Sequence, residues 1–348
     1  MNAATRSALA AALRAVCAVS LAVAAAHALG LADAWWAAIS AFVLPDASWR
    51  ASLLRALLRM IGTLGGAALG VLLGLALGVH GALFVVLMGG ATWAGLYFSS
   101  TRRYSYAWVL GVVTFAMVLC EAWTARGELI HFALERCANV AVGIVACLLV
   151  EGLWTWLRRL PPAAPPAPVS AAARRVAALH ALQGAIAVAL FAAVLAAHQL
   201  HAFAQAMITA LAVLIVPLGA DAQEAHPQVR QRMVLRLAGC GLAVLLAVAL
   251  LPLLQGRAAA CQLALAIGVA AGAWVQQARP RWRYAALQFT VAFMMVFVQD
   301  RGWDVHPRVA LARLAGIVVG VGLTFAVMGG WAVVVRRMGA RKSAATRS

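Results

Sequence analysis

Twelve apolar runs, most of them close to the ~20 residues that cross a bilayer as a helix, follow one another along 348 residues. They fall near 9–29, 34–46, 60–79, 82–98, 105–123 and 136–157, then near 176–197, 202–219, 234–254, 259–277, 284–299 and 313–335. At ~20 residues each they occupy about 240 positions, too many to leave room for a sizeable soluble domain. Only 11% of the residues are charged and 65% are apolar, against roughly 25% and 45–50% in soluble domains. The chain is therefore expected to be an all-α polytopic membrane protein of about twelve transmembrane helices, with the lipid bilayer as its first partner. The +18 balance would point to nucleic acid only if Lys and Arg formed a patch on a polar chain, so nucleic acid is set aside.

Two runs need comment. Trp35 to Pro45 is short for a crossing and is followed by Asp46, so 34–46 is expected to tilt, thin the bilayer or be partly re-entrant. The first run, with Arg6 before it and small residues up to Gly30, has the outline of a secretion signal. Arg14 interrupts it and the repeat described below pairs it with an internal run, so it reads as the first helix.

Basic residues set the orientation. With both termini inside the cell, 22 of the 28 basic residues fall on the inner side; Arg126, Arg136, Arg257, Arg301, Arg308 and Arg313 remain outside. The positive-inside rule is met loop by loop. The expected location is the cell inner (plasma) membrane, multi-pass.

Residues 161–170, PPAAPPAPVS, read as an extended polyproline linker. They divide the chain into a first six-helix repeat (1–158), a cytoplasmic linker (159–175) and a second six-helix repeat (176–348). Leu13-Arg14 matches Leu182-Gln183, and Ile39-Ser40 matches Ile208-Thr209, both at an offset of 169. Arg55-x3-Arg59-x2-Gly62 matches Arg232-x3-Arg236-x2-Gly239, and Arg136-x6-Gly143 matches Arg313-x6-Gly320, at an offset of 177. Six spans per half make the repeats parallel, an arrangement that places a pathway where the halves meet.

Three motifs carry a resemblance: Trp36-Ala-Ala-Ile-Ser at the second run, Arg59-x2-Gly62-Thr63-x-Gly65 at the third and Arg136-x2-Asn139-x3-Gly143 at the sixth. In this order they resemble the fusaric acid resistance and aromatic acid exporter (FUSC) family, in its short form, over most of the chain. The resemblance implies an inner-membrane exporter of aromatic carboxylic acids or similar organic anions and toxic compounds. In larger members it also implies a periplasmic adaptor protein as partner. Here, in departure from those larger members, no soluble domain is expected after either half, which puts adaptor docking and energy coupling in doubt.

The candidate substrate-binding residues are Arg59, Arg236, Arg136, Arg313, Arg14, Gln183 and Trp36. Arg59 and Arg236 are expected to begin the third and ninth helices, as a guanidinium pair matched to a carboxylate or as headgroup anchors. Arg136 and Arg313 lie outside, where topology does not call for them, and are expected to open their helices, whose N-termini add to the attraction for anions. The bland alternative is a local ion pair with Glu135, or with Asp300 or Asp304. Arg14 and Gln183 hold matching positions within spans, where polar groups face a bundle interior or a cavity. Trp36 could stack on an aromatic substrate. Thr114 and Asn139 suit interhelical hydrogen bonds, and Gly62, Gly66, Gly70, Gly74 and Gly78 form one close-packing face. Most other tryptophans fit an interfacial belt.

No carboxylate sits mid-span, which argues against an Asp/Glu proton relay; His180 and Glu151 are the fallback groups. The six cysteines lack metal-ligand spacing, and Cys120 with Cys137 is the one plausible disulfide. His198-x2-His201 lacks a matching third ligand for a metal site. No HExxH, GxSxG or paired mid-span Asp is present, so neither catalysis nor a cofactor is expected. The reading is an organic-anion transporter, with a passive anion channel or an assembly subunit as alternatives.

Overall fold

In lipid every backbone polar group must find a partner inside the protein, which leaves helices as the solution for a chain this apolar. The computed structural model describes residues 3–45, 48–76, 80–156, 171–198, 202–215, 225–299 and 308–345. Its regular elements are helices α1 (Ala3–Ala28), α2 (Trp35–Val43), α3 (Trp49–Ala76), α4 (Gly81–Thr101), α5 (Ser105–Thr124) and α6 (Leu129–Trp156), then α7 (Ala171–His198), α8 (Ala202–Leu214), α9 (Ala225–Leu254), α10 (Ala258–Ala278), α11 (Arg283–Phe297) and α12 (Arg308–Ala345). Short 3-10 turns precede α6 and α11. Nine of these helices are long and apolar enough to cross a membrane among the described residues. The protein is all-helical and multi-pass.

Three helices fall short of that length. With 9 residues and a rise of ~1.5 Å per residue, α2 is only about 13 Å long, so the span expected at 34–46 is not a full transmembrane helix. All of α2 except Val43 is buried, so protein surrounds this broken helix, the setting in which lipid tolerates one. Its counterpart α8 has 13 residues, and α11 has 15. The linker expected at 159–175 lies mostly outside the described residues, and positions 171–175 are the first turns of α7.

The packing repeats along the chain. Within each half the third helix lies on the fifth and the second on the sixth: α3 on α5 and α2 on α6, then α9 on α11 and α8 on α12. The halves also interlock, α1 packing on α10 and α4 on α7, with α2 touching α11 and α5 touching α8.

Glycines set these close approaches. A Cβ on Gly62 would sit 2.3 Å from the Ala107 carbonyl oxygen, and one on Gly239 would sit 2.3 Å from that of Ala285. Gly66 meets the Gly111 carbonyl, Gly70 meets Val118 and Gly74 meets Ala122, so the glycine face of α3 is the α5 contact; Gly78 lies outside the described residues. Gly143 backs onto Ala37 and Ser40 of α2 as Gly320 backs onto Ala206 and Thr209 of α8. Leucines such as Leu64, Leu72, Leu149, Leu245 and Leu253 point outward, as a lipid-facing surface requires.

Candidate functional site

The first layer of the site is a cavity of about 1020 Å³ where the two halves meet, at the end rich in arginine. Arg14 (α1), Arg55 (α3), Arg232 (α9) and Arg281 and Arg283 next to and on α11 line it, with Glu151 (α6) as the one carboxylate among the described residues. Gln228, Gln231, Gln276 and Gln277 complete the polar wall, and Phe42, Val43 and Leu287 belong to its apolar part. Among the described residues, five guanidinium groups against one carboxylate make the wall predominantly basic in a space partly walled from water. Such a space concentrates anions.

Arg55 and Arg232 hold equivalent places. Each guanidinium lies 4.9 Å from a tyrosine ring centroid, Arg55 over Tyr106 and Arg232 over Tyr284. Each also donates to the carbonyl that ends the short helix beside it, Arg55 Nη2 to Val43 at 3.3 Å and Arg232 Nη1 to Ile215. Arg14 makes a two-point contact with Glu151, Nη1 lying 3.1 Å from Oε1 and 2.9 Å from Oε2. Its repeat mate Gln183 is buried on α7 and is not part of the cavity wall.

One turn deeper lie Arg59 and Arg236, 3% and 6% exposed. They were expected to begin their helices, but α3 starts at Trp49 and α9 at Ala225, so both lie some ten residues into their helices, buried against other helices rather than exposed as headgroup anchors. Arg59 donates to Ser40 Oγ and Tyr106 Oη, both at 3.0 Å. Arg236 donates to Thr209 Oγ1 at 3.2 Å and to Gln288 Oε1. The hydroxyl on the short helix is kept between halves, and Tyr284 on α11 also bonds Arg236 as Tyr106 on α5 bonds Arg59, Gln288 being the added partner in the second half. The Nε of each arginine has no hydrogen-bond partner.

The third layer is the N-terminus of α2. Trp35 and Trp36 are in contact, their ring centroids 3.9 Å apart and their planes tilted by 35°. Arg136 lies over Trp36 at 3.3 Å and Arg313 over Trp35 at 5.2 Å, so the outer arginines of both halves converge on one tryptophan pair. Asp33 anchors the Trp35 indole at 2.9 Å and is an opposite charge to both arginines. Neither arginine opens its helix: Arg136 is two turns into α6 and Arg313 more than one turn into α12, beyond the reach of the helix dipole. Nor is Arg136 tied to Glu135, which accepts from the Ala32 amide and faces His131. Arg136 is 2% exposed, and its Nε and Nη1 have no partner. Arg313 Nη1 donates to the Met295 carbonyl; Asp300 and Asp304 lie outside the described residues.

Asn139 Nδ2 donates to the Ala32 and Glu135 carbonyls, whereas Thr114 Oγ1 has no partner. His180 Nε2 lies 2.7 Å from the Leu214 carbonyl oxygen. Trp35 and Trp36 are buried, whereas Trp93, Trp108 and Trp274 are exposed. All six cysteines are free. The side chains of Gln205, His198 and His201 lie outside the described residues.

Tyr106, Gln288 and the Arg14–Glu151 pair were not foreseen as site contacts. The partners of Arg59 and Arg14 are 47 and 137 residues away in sequence, and no local pattern signals such meetings. The offset of 178 between Tyr106 and Tyr284 was the one available clue.

Residues 8–165 match the model of the fusaric acid resistance protein family (FUSC), so this part of the chain is similar to that family. No curated protein and no solved structure matches the chain.

Proposed function

We propose that this chain, similar over residues 8–165 to the fusaric acid resistance protein family, is a transporter that exports organic anions, aromatic carboxylic acids foremost, along the seam between its halves. The observation that carries this reading is the cavity of about 1020 Å³ with five arginines and one glutamate on its wall. Its size suits a small ligand and its charge suits an anion. With the arginine-rich end and both termini in the cytoplasm of the inner membrane, as the positive-inside rule asks, the cavity collects substrate from inside the cell. Its arginines offer planar donor forks to a carboxylate, and Tyr106 and Tyr284 hold two of those forks in place.

Beyond the cavity the route runs along α2, past the Arg59 and Arg236 layer, to the arginine-capped tryptophan pair. The buried Trp35, Trp36, Ile39, Phe42, Phe293 and Phe297 fill that side. A route closed at one end and open at the other fits a carrier that alternates access better than a standing channel. A periplasmic adaptor partner is part of the proposal only through the family resemblance.

The test is counterflow of radiolabelled 4-hydroxybenzoate in proteoliposomes. Hydrogen bonds to charged groups contribute ~1.5–3 kcal/mol, so Arg55→Gln and Arg232→Gln are each expected to raise the KM by roughly 10- to 100-fold. Unchanged KM values in both variants overturn the assignment of the cavity, and steady current through the protein in a planar bilayer overturns the carrier reading in favour of a channel.

A further inference from the structure

Two neighbouring arginines of the first half keep three donors empty. Arg59 and Arg136 are both buried, and Nε of Arg59 and Nε and Nη1 of Arg136 have no hydrogen-bond partner. Their anchor points share one face of α2. Arg136, from α6, lies over the Trp36 ring at 3.3 Å, and Arg59, from α3, donates to Ser40 Oγ at 3.0 Å. Trp36 and Ser40 are four residues apart, one helical turn or about 6 Å along the axis. The Ser40 hydroxyl ties the two points together by donating to the Trp36 carbonyl at 2.7 Å. Helix α6 closes on the same face, where Gly143 meets Ala37 and Ser40.

A buried charge needs a counter-charge. Among the described residues neither guanidinium has a carboxylate in hydrogen-bond contact: Arg59 is held by the neutral hydroxyls of Ser40 and Tyr106, and Arg136 by the face of an indole. Arg136 also feels the like charge of Arg59. Asp33, the carboxylate that acts on Arg136, is shared with Arg313 and accepts from the Trp35 indole. The repeat supplies the contrast. Arg313, the counterpart of Arg136, donates to the Met295 carbonyl and keeps no buried donor without a partner.

We infer that Arg59, Arg136 and the Trp36–Ser40 face of α2 form an intramembrane site for one small monovalent anion stripped of water, the carboxylate head of the transported acid or a halide ion. The site stands on the buried empty donors; its use by the transported acid rests on the transport reading above. One negative charge between the two arginines offsets their repulsion and engages N–H groups that otherwise have no acceptor. Arg55 on the cavity wall is one turn before Arg59 on α3, so the site is a single helical turn beyond the cavity. A divalent anion gives up more hydration on entering so buried a place, which ranks bromide and chloride above sulfate.

The experiment uses bromide, whose heavy nucleus quenches the fluorescence of a tryptophan it touches. Purified full-length protein in non-ionic detergent is titrated with sodium bromide in place of sodium sulfate at constant ionic strength. Tryptophan fluorescence and melting temperature are both read. The wild type is expected to show a saturable quenching step from Trp36 above the linear quenching of the exposed Trp93, Trp108, Trp274 and Trp282, with a rise in melting temperature that saturates over the same concentrations. Arg136→Met is expected to lose both and Arg313→Met to keep both. Trp36→Phe is expected to lose the quenching step and keep the thermal shift, which puts the ion beside Trp36. Benzoate that reverses the bromide step assigns the site to the transported acid; a bromide step that benzoate leaves in place assigns it to a halide. Linear quenching without a thermal shift in the wild type overturns the site, as does retention of both signals in Arg136→Met or their equal loss in Arg313→Met. Any of these results leaves the cavity and its counterflow test standing, whereas a saturable bromide step in a protein without counterflow strikes the transport reading alone.

Discussion

Replacing Arg136 with methionine separates a functional arginine from a structural one. Its Nε and Nη1 are buried without partners, and a buried unsatisfied donor costs ~1–3 kcal/mol, so the two together cost ~2–6 kcal/mol. The stacking on Trp36 at 3.3 Å offsets ~2 kcal/mol of that in a desolvated setting, and the like charge of Arg59 adds to the cost. Methionine is apolar, flexible and of comparable length, so it fills the same volume with little strain. The Arg136→Met protein should therefore be more stable by roughly 0–4 kcal/mol while its organic-acid transport collapses. Thermal melting of the purified protein, read by tryptophan fluorescence, gives the first quantity and counterflow the second. Arg136→Lys controls for charge, since lysine keeps the charge but loses the flat stack. A methionine variant that melts well below the wild type would refute the reasoning, because the arginine would then be holding the fold together.

Other consequences can be checked alongside. Gly66→Ala places a Cβ 2.3 Å from the Gly111 carbonyl oxygen whereas Gly65→Ala meets nothing within 4 Å, so the first should lower stability by ~1–3 kcal/mol and the second should leave the melting temperature where it is. Raising ionic strength from 0.01 M to 0.15 M shortens the screening length from ~30 Å to ~8 Å, so the KM for an anionic substrate should rise with salt in the wild type and rise less in the Arg55→Gln, Arg232→Gln double variant. Trp36→Ala removes the platform under Arg136 and ~150–250 Å² of buried aromatic surface; at ~25 cal/mol per Å² it should cost roughly 4–6 kcal/mol, seen as a large fall in melting temperature, with Trp36→Phe recovering much of it.

The helical class was plain in the runs of apolar residues, and the repeat was visible in matched pairs such as Gly62 with Gly239, because a backbone approach that close admits glycine alone. The arginines at repeat positions were found by the same offset. Their depth was not. Arg59 was placed at a helix end because the stretch from Trp49 to Arg55 holds two arginines and a serine and so hides ten further helical residues. The convergence of Arg136 and Arg313 could not be read either. The second half carries Ala204 and Gln205 where the first carries Trp35 and Trp36, so the repeat gave no hint that both arginines use one tryptophan pair. The Arg14–Glu151 contact joins the first and sixth helices, and only the packing of α1 on α6 reveals it.

The interlocking of α1 with α10 and of α4 with α7 has a mechanical consequence. The halves meet through helices of both, α1 with α10 and α4 with α7, and such shared contacts oppose a simple rocking of one half against the other. If the protein is the carrier proposed above, a switch between open and closed ends falls to smaller parts, and α2 and α8 suit it: short, each held to a neighbour by a hydroxyl–arginine clasp, Ser40 with Arg59 and Thr209 with Arg236. On that reading the protein would work less like a hinge than like a lock with two pins.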